Sequence, residues 1–300
     1  MDGSLCGVDK KTCDMSTLEP IQNHPKLWLS HLPKLLPDGN KYTRGHALIY
    51  GGYPNTGAAR MAARACARVG AGLTTIAVPE IAFPIYATSL TSIMVAPLAA
   101  PNDFTRLLED NRLSGFLIGP GAGTGEHIRD YALAMLATGK PTVLDADAIT
   151  IFQDEPLALG CAITGPCIIT PHEGEFSRLF DNSGDRLTRA CAAAKHSRAI
   201  IVFKGNKTVI ASPDGRAIIN SNAPPALATA GSGDVLSGMI LGLLAQGMEP
   251  FFAAAAAVWI HGAAATKFGP CLIAEDLPDL LPDVFRRLYD SRVKAIWRRL

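Results

Sequence analysis

The sequence predicts an α/β protein built on a mostly parallel central sheet with helices on both faces. Short apolar runs alternate along the chain with stretches of helical spacing, the order that lays parallel strands between crossover helices. Those runs are apolar throughout rather than at every second residue, as strands covered on both faces must be. Several of them end in glycine-rich or charged loops, and folds of this class bind ligands at the carboxyl ends of their strands.

Residues 1–40 are expected to form an irregular extension and residues 41–300 one domain, since no Gly/Ser/Pro linker or repeat divides the chain. The expected strands are Ala47–Tyr50, Leu73–Val78, Phe116–Ile118, Thr142–Leu144, Cys167–Thr170 and Ile200–Phe203. Helices are expected over 57–70, 101–112, 125–138, 174–180 and 185–197. Two short apolar runs then flank Pro213-Asp214-Gly215, and read as a hairpin with a tight turn. Val235, Leu236, Met239, Ile240, Leu243 and Leu244 mark an apolar helix that begins near residue 232. The alanine-rich run 251–265 is too short to span a bilayer and carries His261, so a buried, tightly packed helix is expected. From Asp283 to Leu300, Arg286, Arg287, Arg292, Lys294, Arg298 and Arg299 interleave with Val284, Phe285, Leu288, Val293, Ile296 and Trp297. That pattern suits an amphipathic helix packed on the domain or on a neighbouring subunit.

Composition narrows the function. With 300 residues, 48% hydrophobic and 18% charged, the chain can bury a sizeable core. A net charge of +1 argues against a nucleic-acid partner, which needs a basic excess. The seven cysteines are scattered and none forms a C-x-x-C pair, so neither a disulfide framework nor a zinc knuckle is expected. Reduced thiols in a cytoplasmic protein, with no membrane partner and no signal peptide, are the corresponding expectation.

The most informative stretch is Ala228-Thr229-Ala230-Gly231-Ser232-Gly233-Asp234, where a glycine pair and a carboxylate open the apolar helix. Helix starts carry unpaired N–H groups and partial positive charge, so they attract anions. Gly231, Ser232 and Gly233 could form an anion hole there, and Asp234 could take a proton as a substrate oxygen attacks phosphorus. Its bland alternative is a helix cap. Gly51–Ala59 and Ile118–Gly125 are further small-residue loops at strand ends, though neither is a G-x-G-x-x-G or P-loop motif. Thr170-Pro171-His172-Glu173-Gly174-Glu175 puts an imidazole and two carboxylates in a short loop without the H-E-x-x-H of a zinc protease. Glu175 could orient Mg²⁺ through water, or serve as an ordinary glutamate of a first helical turn. Lys204, beside Gly205 at another strand end, suits a nucleotide phosphate, or else a surface turn.

Jointly, seven motifs resemble those of the ADP/ATP-dependent NAD(P)H-hydrate dehydratases, a branch of the ribokinase-like superfamily. They are G-H-A-L-I-Y-G-G with T-G-A-A (from Gly45 to Ala59), R-V-G-A-G-L-T-T (Arg68–Thr75), I-G-P-G-A-G (Ile118–Gly123), V-L-D-A-D-A (Val143–Ala148), T-P-H-E-G-E (Thr170–Glu175), F-K-G-N-K-T (Phe203–Thr208) and A-T-A-G-S-G-D (Ala228–Asp234). The resemblance implies a three-layer α/β/α fold and nucleotide-dependent repair of hydrated NADH or NADPH, the S epimer. The ring hydroxyl would be phosphorylated and phosphate then eliminated. ADP, giving AMP and phosphate, is favoured over ATP as the co-substrate, with Mg²⁺. Carried over by position, Asp234 would be the base. Lys204, Gly205, Asn206, Lys207, Thr208 and Gly233 would hold the nucleotide, and Ala58, Gly123, His172 and Asp234 the hydrated dinucleotide. The resemblance further implies a homo-oligomer, commonly a tetramer, and a separate epimerase acting alongside. A kinase of a small alcohol or vitamin precursor is the alternative; kinases of this fold tend to have Asn where this chain has His172. The chain departs from the family at Pro224-Pro225-Ala226-Leu227, where Asn-Pro-Gly-Met is usual, and a non-catalytic nucleotide-binding protein is a third reading motivated by that loop alone.

Overall fold

The computed structural model describes residues 21–297. Its strands are β1 (Ile21–Gln22), β2 (His46–Tyr50), β3 (Leu73–Pro79), β4 (Met94–Leu98), β5 (Leu113–Ile118), β6 (Thr142–Leu144), β7 (Cys167–Ile169), β8 (Ile200–Phe203), β9 (Thr208–Ala211) and β10 (Ala217–Asn220). Its helices are α1 (Thr56–Arg68), α2 (Phe83–Ser89), α3 (Asp103–Leu108), α4 (Glu126–Ala137), α5 (Asp147–Thr150), α6 (Pro156–Ala162), α7 (Glu173–Leu179), α8 (Arg186–Ser197), α9 (Ser232–Ala245), α10 (Pro250–Phe268) and α11 (Leu277–Trp297). The strands make one ten-stranded sheet in the order β1-β10-β9-β8-β7-β6-β5-β2-β3-β4. All neighbours are parallel except β9, which runs antiparallel to β8 and β10. The expected hairpin is therefore present, turning where Gly215 sits at φ +93°.

Side-chain alternation divides the molecule into three layers. Ala47, Ile49 and Val202 face one core, with α1, α9, α10 and α11, while Leu48, Tyr50 and Phe203 face the other, with α4, α6 and α8. Both sets are buried, which explains the continuous apolar runs. The chain builds β2, β3 and β4 outward in one direction and then returns to add β5, β6 and β7 on the other side of β2. That reversal opens a crevice at the carboxyl ends of β2 and β5. There the loops that follow them meet backbone to backbone: a Cβ on Gly52 would fall 1.9 Å from the Gly121 carbonyl oxygen.

Some elements escape the sequence patterns. β4 carries Pro97 and is half-exposed, both tolerable because it is an edge strand. Residues 21–32, within the stretch expected to be irregular, add β1 to the sheet and bury Trp28 and Leu32 in the core. The alanine-rich run belongs to a longer helix, α10, of 19 residues. By length and composition it could cross a membrane, but 67% of its apolar window is buried within the fold. Arg298 and Arg299 of the expected C-terminal helix, and Cys6 and Cys13, lie outside the described residues. Burial pushes the Cys66 and Cys167 thiols up to about 12, which keeps them protonated.

Candidate active site

Helix α9 is buried along nearly its whole length, so its first turn is held rigidly at the carboxyl edge of the sheet. Gly231 caps it in the left-handed conformation, φ +87°, which a side chain would strain. The Gly233 and Asp234 amides lie in the first turn, where a helix has no acceptors of its own for N–H groups, while the Ser232 N–H reaches the Thr229 carbonyl at 3.4 Å. Gly233 faces the Lys204 ammonium, 3.4 Å from where its Cβ would be.

Around that turn the strand ends gather charge. Asp145, 1% exposed after β6, accepts a hydrogen bond from Lys204 Nζ at 2.7 Å, and Glu175 Oε2 lies 3.7 Å from the same nitrogen. Burial opposes the Lys204 charge, but Asp145, Glu175 and Asp234 outweigh it and hold its pKa above the usual lysine value. Asp234 goes the other way. Burial, then the Asp145 carboxylate, raise it to about 7 against the pull of Lys204, with Asp147 and Glu175 adding to the rise. A carboxyl group poised near neutrality is suited to proton transfer at physiological pH.

His172 caps α7 reciprocally: its Nδ1 accepts from the Glu175 N–H at 3.2 Å, and Glu175 Oε2 accepts from the His172 N–H at 2.8 Å. With Nδ1 accepting, the proton of the neutral ring sits on Nε2, and the side chain is 57% exposed. Glu175 is thus the cap partner and a neighbour of Lys204. No group of three or more His, Cys, Asp or Glu among the described residues could grip a metal directly. With Glu175 Oε2 and one oxygen of Asp145 already engaged, these residues fit a Mg²⁺ ion held through its water shell, its habitual mode beside phosphates.

A cavity of about 580 Å³ opens between the β8–β9 turn, the 223–228 loop and the start of α9. Of the sequence-predicted residues, it is lined by His172, Lys204, Gly205, Asn206, Thr208, Ser232 and Gly233. Lys207 is exposed and does not line it. Ala58 and Gly123 lie at the β2/β5 crevice instead. Gly123 donates its N–H to Asp147 Oδ2 at 2.8 Å, and the space where its Cβ would be is open. Ala58 borders the same loop, 3.3 Å from the Cβ position of Gly121. Asp234 takes its charge environment from both sides, from Asp145 and Lys204 and from Asp147. The altered Pro224-Pro225-Ala226-Leu227 segment forms a 3-10 turn in the cavity wall.

Three of these residues, Asp145, Asp147 and His261, have no role legible in the sequence. Asp145 and Asp147 stood inside V-L-D-A-D-A, where two acids straddling Ala146 at a strand end were the available signal. Ala146 sits at φ +48°, a left-handed backbone rare for alanine. His261 is a lone polar residue in an apolar run; it is buried against the cavity, and burial brings its pKa down to about 4.

A family model described as NAD(P)H-hydrate dehydratase matches residues 47–283 of this chain. The chain belongs to that family. It is 34% identical to an ADP-dependent (S)-NAD(P)H-hydrate dehydratase of Bacillus subtilis over 275 residues, 85% of this chain and 94% of the relative. It is 39% identical to a bifunctional NAD(P)H-hydrate repair enzyme of Salinibacter ruber over 267 residues, 83% of this chain and 49% of that enzyme. The chain thus spans about half the length of the bifunctional family members it matches. Among solved structures, a crystal structure of ADP/ATP-dependent NAD(P)H-hydrate dehydratase from Bacillus subtilis, co-crystallised with ATP and Mg²⁺, superposes with a TM-score of 0.78. The two share 30% identity, with 91% of this chain and 100% of that one covered. A ribokinase-like superfamily protein from Enterococcus faecalis shares the fold, with a TM-score of 0.80 at 24% identity over 92% of this chain and 99% of that one.

Proposed function

We propose that this chain restores NADH and NADPH from their hydrated S epimers, with ADP or ATP as the phosphoryl donor. The observation that carries the reading is Asp234, raised to about 7 in the first turn of α9, between the 580 Å³ cavity and the Gly123 crevice. In this reading Lys204, Gly205, Asn206, Lys207, Thr208 and Gly233 hold the nucleotide, and Ala58, Gly123 and His172 hold the dinucleotide. Asp234 accepts the proton of the ring hydroxyl as its oxygen attacks the terminal phosphoryl group, releasing AMP when the donor is ADP. The amides of Gly231, Ser232 and Gly233 face the charge that builds on the transferred group. Mg²⁺, held through water near Glu175, would neutralise part of the phosphate charge. Loss of phosphate from the ring, together with a proton from the adjacent ring carbon, then re-forms the double bond of the dihydronicotinamide. Cytoplasmic placement, a homotetramer and functional pairing with an epimerase activity belong to the same proposal, by likeness to the family.

A kinase reading predicts a stable phosphorylated product. His172 stands in the cavity wall, 57% exposed with its Nε2 3.5 Å from Glu175 Oε1, and so presents an imidazole to the ligand where kinases of this fold tend to have Asn, which favours the dehydratase. The test follows recovery of reduced-nicotinamide absorbance from hydrated NADH with ADP, with ATP or with neither. Recovery only with nucleotide supports the proposal. A flat trace from folded protein with both nucleotides sinks it. In the same assay Asp234→Asn should lose turnover by roughly 10²–10⁴-fold while binding nucleotide nearly normally. A variant that kept a tenth of the wild-type rate would remove Asp234 from the role of base.

A further inference from the structure

We propose that Arg186 is a positioning residue that sets the nucleotide-binding turn Lys204–Thr208 against the His172 loop, and thereby sets nucleotide affinity. The proposal rests on the reading that the cavity takes a nucleotide. Arg186 opens α8 and lines no part of the cavity. Its Nη2 donates to the main-chain carbonyls of Phe203, at 3.2 Å, and of Lys204. Its Nη1 donates to Glu173 Oε2 at 2.8 Å, and its guanidinium lies 3.6 Å above the centre of the Phe203 ring. Glu173 is the residue next to His172, and its other oxygen accepts from Arg189 Nη2 at 2.5 Å. One planar fork therefore ties two loops that the sequence keeps about thirty residues apart.

The peptide geometry says what this fixes. A peptide unit is planar and trans, so holding its carbonyl aims its N–H to the opposite side. With the Phe203 carbonyl held, the Lys204 N–H donates to the Pro171 carbonyl at 2.8 Å, beside His172. With the Lys204 carbonyl held, the Gly205 N–H is directed to Thr208 Oγ1 at 3.3 Å, on the cavity wall. Gly205 is required for the arrangement, since a Cβ there would fall 2.7 Å from Arg186 Nη2. Without Arg186 each peptide keeps only the hydrogen bond of its N–H, to Pro171 and to Thr208, and the loosened turn must be re-ordered each time a nucleotide binds.

The test is calorimetric titration of ADP and ATP into wild type, Arg186→Ala, Arg186→Lys, Glu173→Gln and Gly205→Ala, each at a temperature where melting curves show it folded. Arg186→Ala should raise the nucleotide Kd about tenfold or more, the size of a lost charge-assisted hydrogen bond. Arg186→Lys should fail to restore it, because an ammonium cannot span two carbonyls and a carboxylate. Glu173→Gln should fall between, and adding it to Arg186→Ala should cost little more. A purely structural role would lower the melting temperature and leave Kd unmoved. Should Arg186→Ala not fold, Arg186→Lys and Gly205→Ala decide. Affinities within about twofold of wild type in the folded Arg186 variants overturn the proposal. Wild type that binds neither nucleotide overturns it together with the nucleotide reading, whereas tight wild-type binding with unchanged variants overturns it alone.

Discussion

At the residue scale the site is a set of carboxyl groups sorted by environment. Asp145 is buried but spends its charge on Lys204, while Asp234 in the same cluster is raised to about 7. A base must be deprotonated to act, so activity should rise with pH through about 7 and fall away below it. A pH–rate profile with its acidic limb near 4 would remove Asp234 from that role. The same shift weakens the fold above neutrality. Asp234 binds its proton more tightly folded than unfolded, so its stabilising contribution is complete below the ordinary aspartate value of 3.8 and lost as pH rises through about 7. Asp234→Asn, inactive, should therefore be the more stable protein at pH 8, by about 1–3 kcal/mol in denaturant titration. His261 acts with the opposite sign. Its folded pKa of about 4 lies below the ordinary 6.5, so stability should be lost as pH falls between those values. Asp234, Lys204 and His172 were legible because glycines and strand ends flag a ligand edge. Asp145 and His261 were harder to find, since nothing in a sequence tells a buried charge from an exposed one until its partner is located.

At the element scale, helix α9 shows how packing outweighs propensity. Gly238 lies mid-helix, where alanine would favour the helix by roughly 1 kcal/mol. Here a Cβ would fall 2.1 Å from the Ala62 carbonyl oxygen and 2.7 Å from the Ala62 Cα, atoms of α1 that move only if the whole helix moves. Gly238→Ala should thus destabilise the protein by about 1–3 kcal/mol, read from the denaturant midpoint. An unchanged midpoint would mean that α1 and α9 are not in close backbone contact. Helices and strands with strong periodicity were readable to within a few residues. β4, α2 and α6, which are short and carry proline, and α5, which is only four residues long, were not, since none offers a run long enough to show a period.

At the scale of the whole molecule, the sheet grows beyond the family-model match through residues 21–32, N-terminal to residue 47. Trp28 is fully buried, its ring centre 5.8 Å from that of Trp259, and its Nε1 donates to Asn23 Oδ1 at 3.0 Å. Asn23 in turn donates to Asn220, which lines the cavity. Trp28→Ala should cost about 3–5 kcal/mol, measured by denaturant titration. A loss under about 1 kcal/mol would show that this segment does not belong to the cooperative core. The segment reads as irregular in sequence because one tryptophan between prolines has no period; only its buried partners reveal its place in the core. The backbone contact between the Gly52 and Gly121 loops has an evolutionary consequence. Neither Gly52 nor Gly121 can accept a side chain without forcing the loops apart, so these two positions of the crevice floor are closed to variation. The 224–227 turn, whose Pro224, Pro225 and Leu227 stand in the cavity wall, is where a lineage could retune its ligand preference by single substitutions, and where a mutational library should begin.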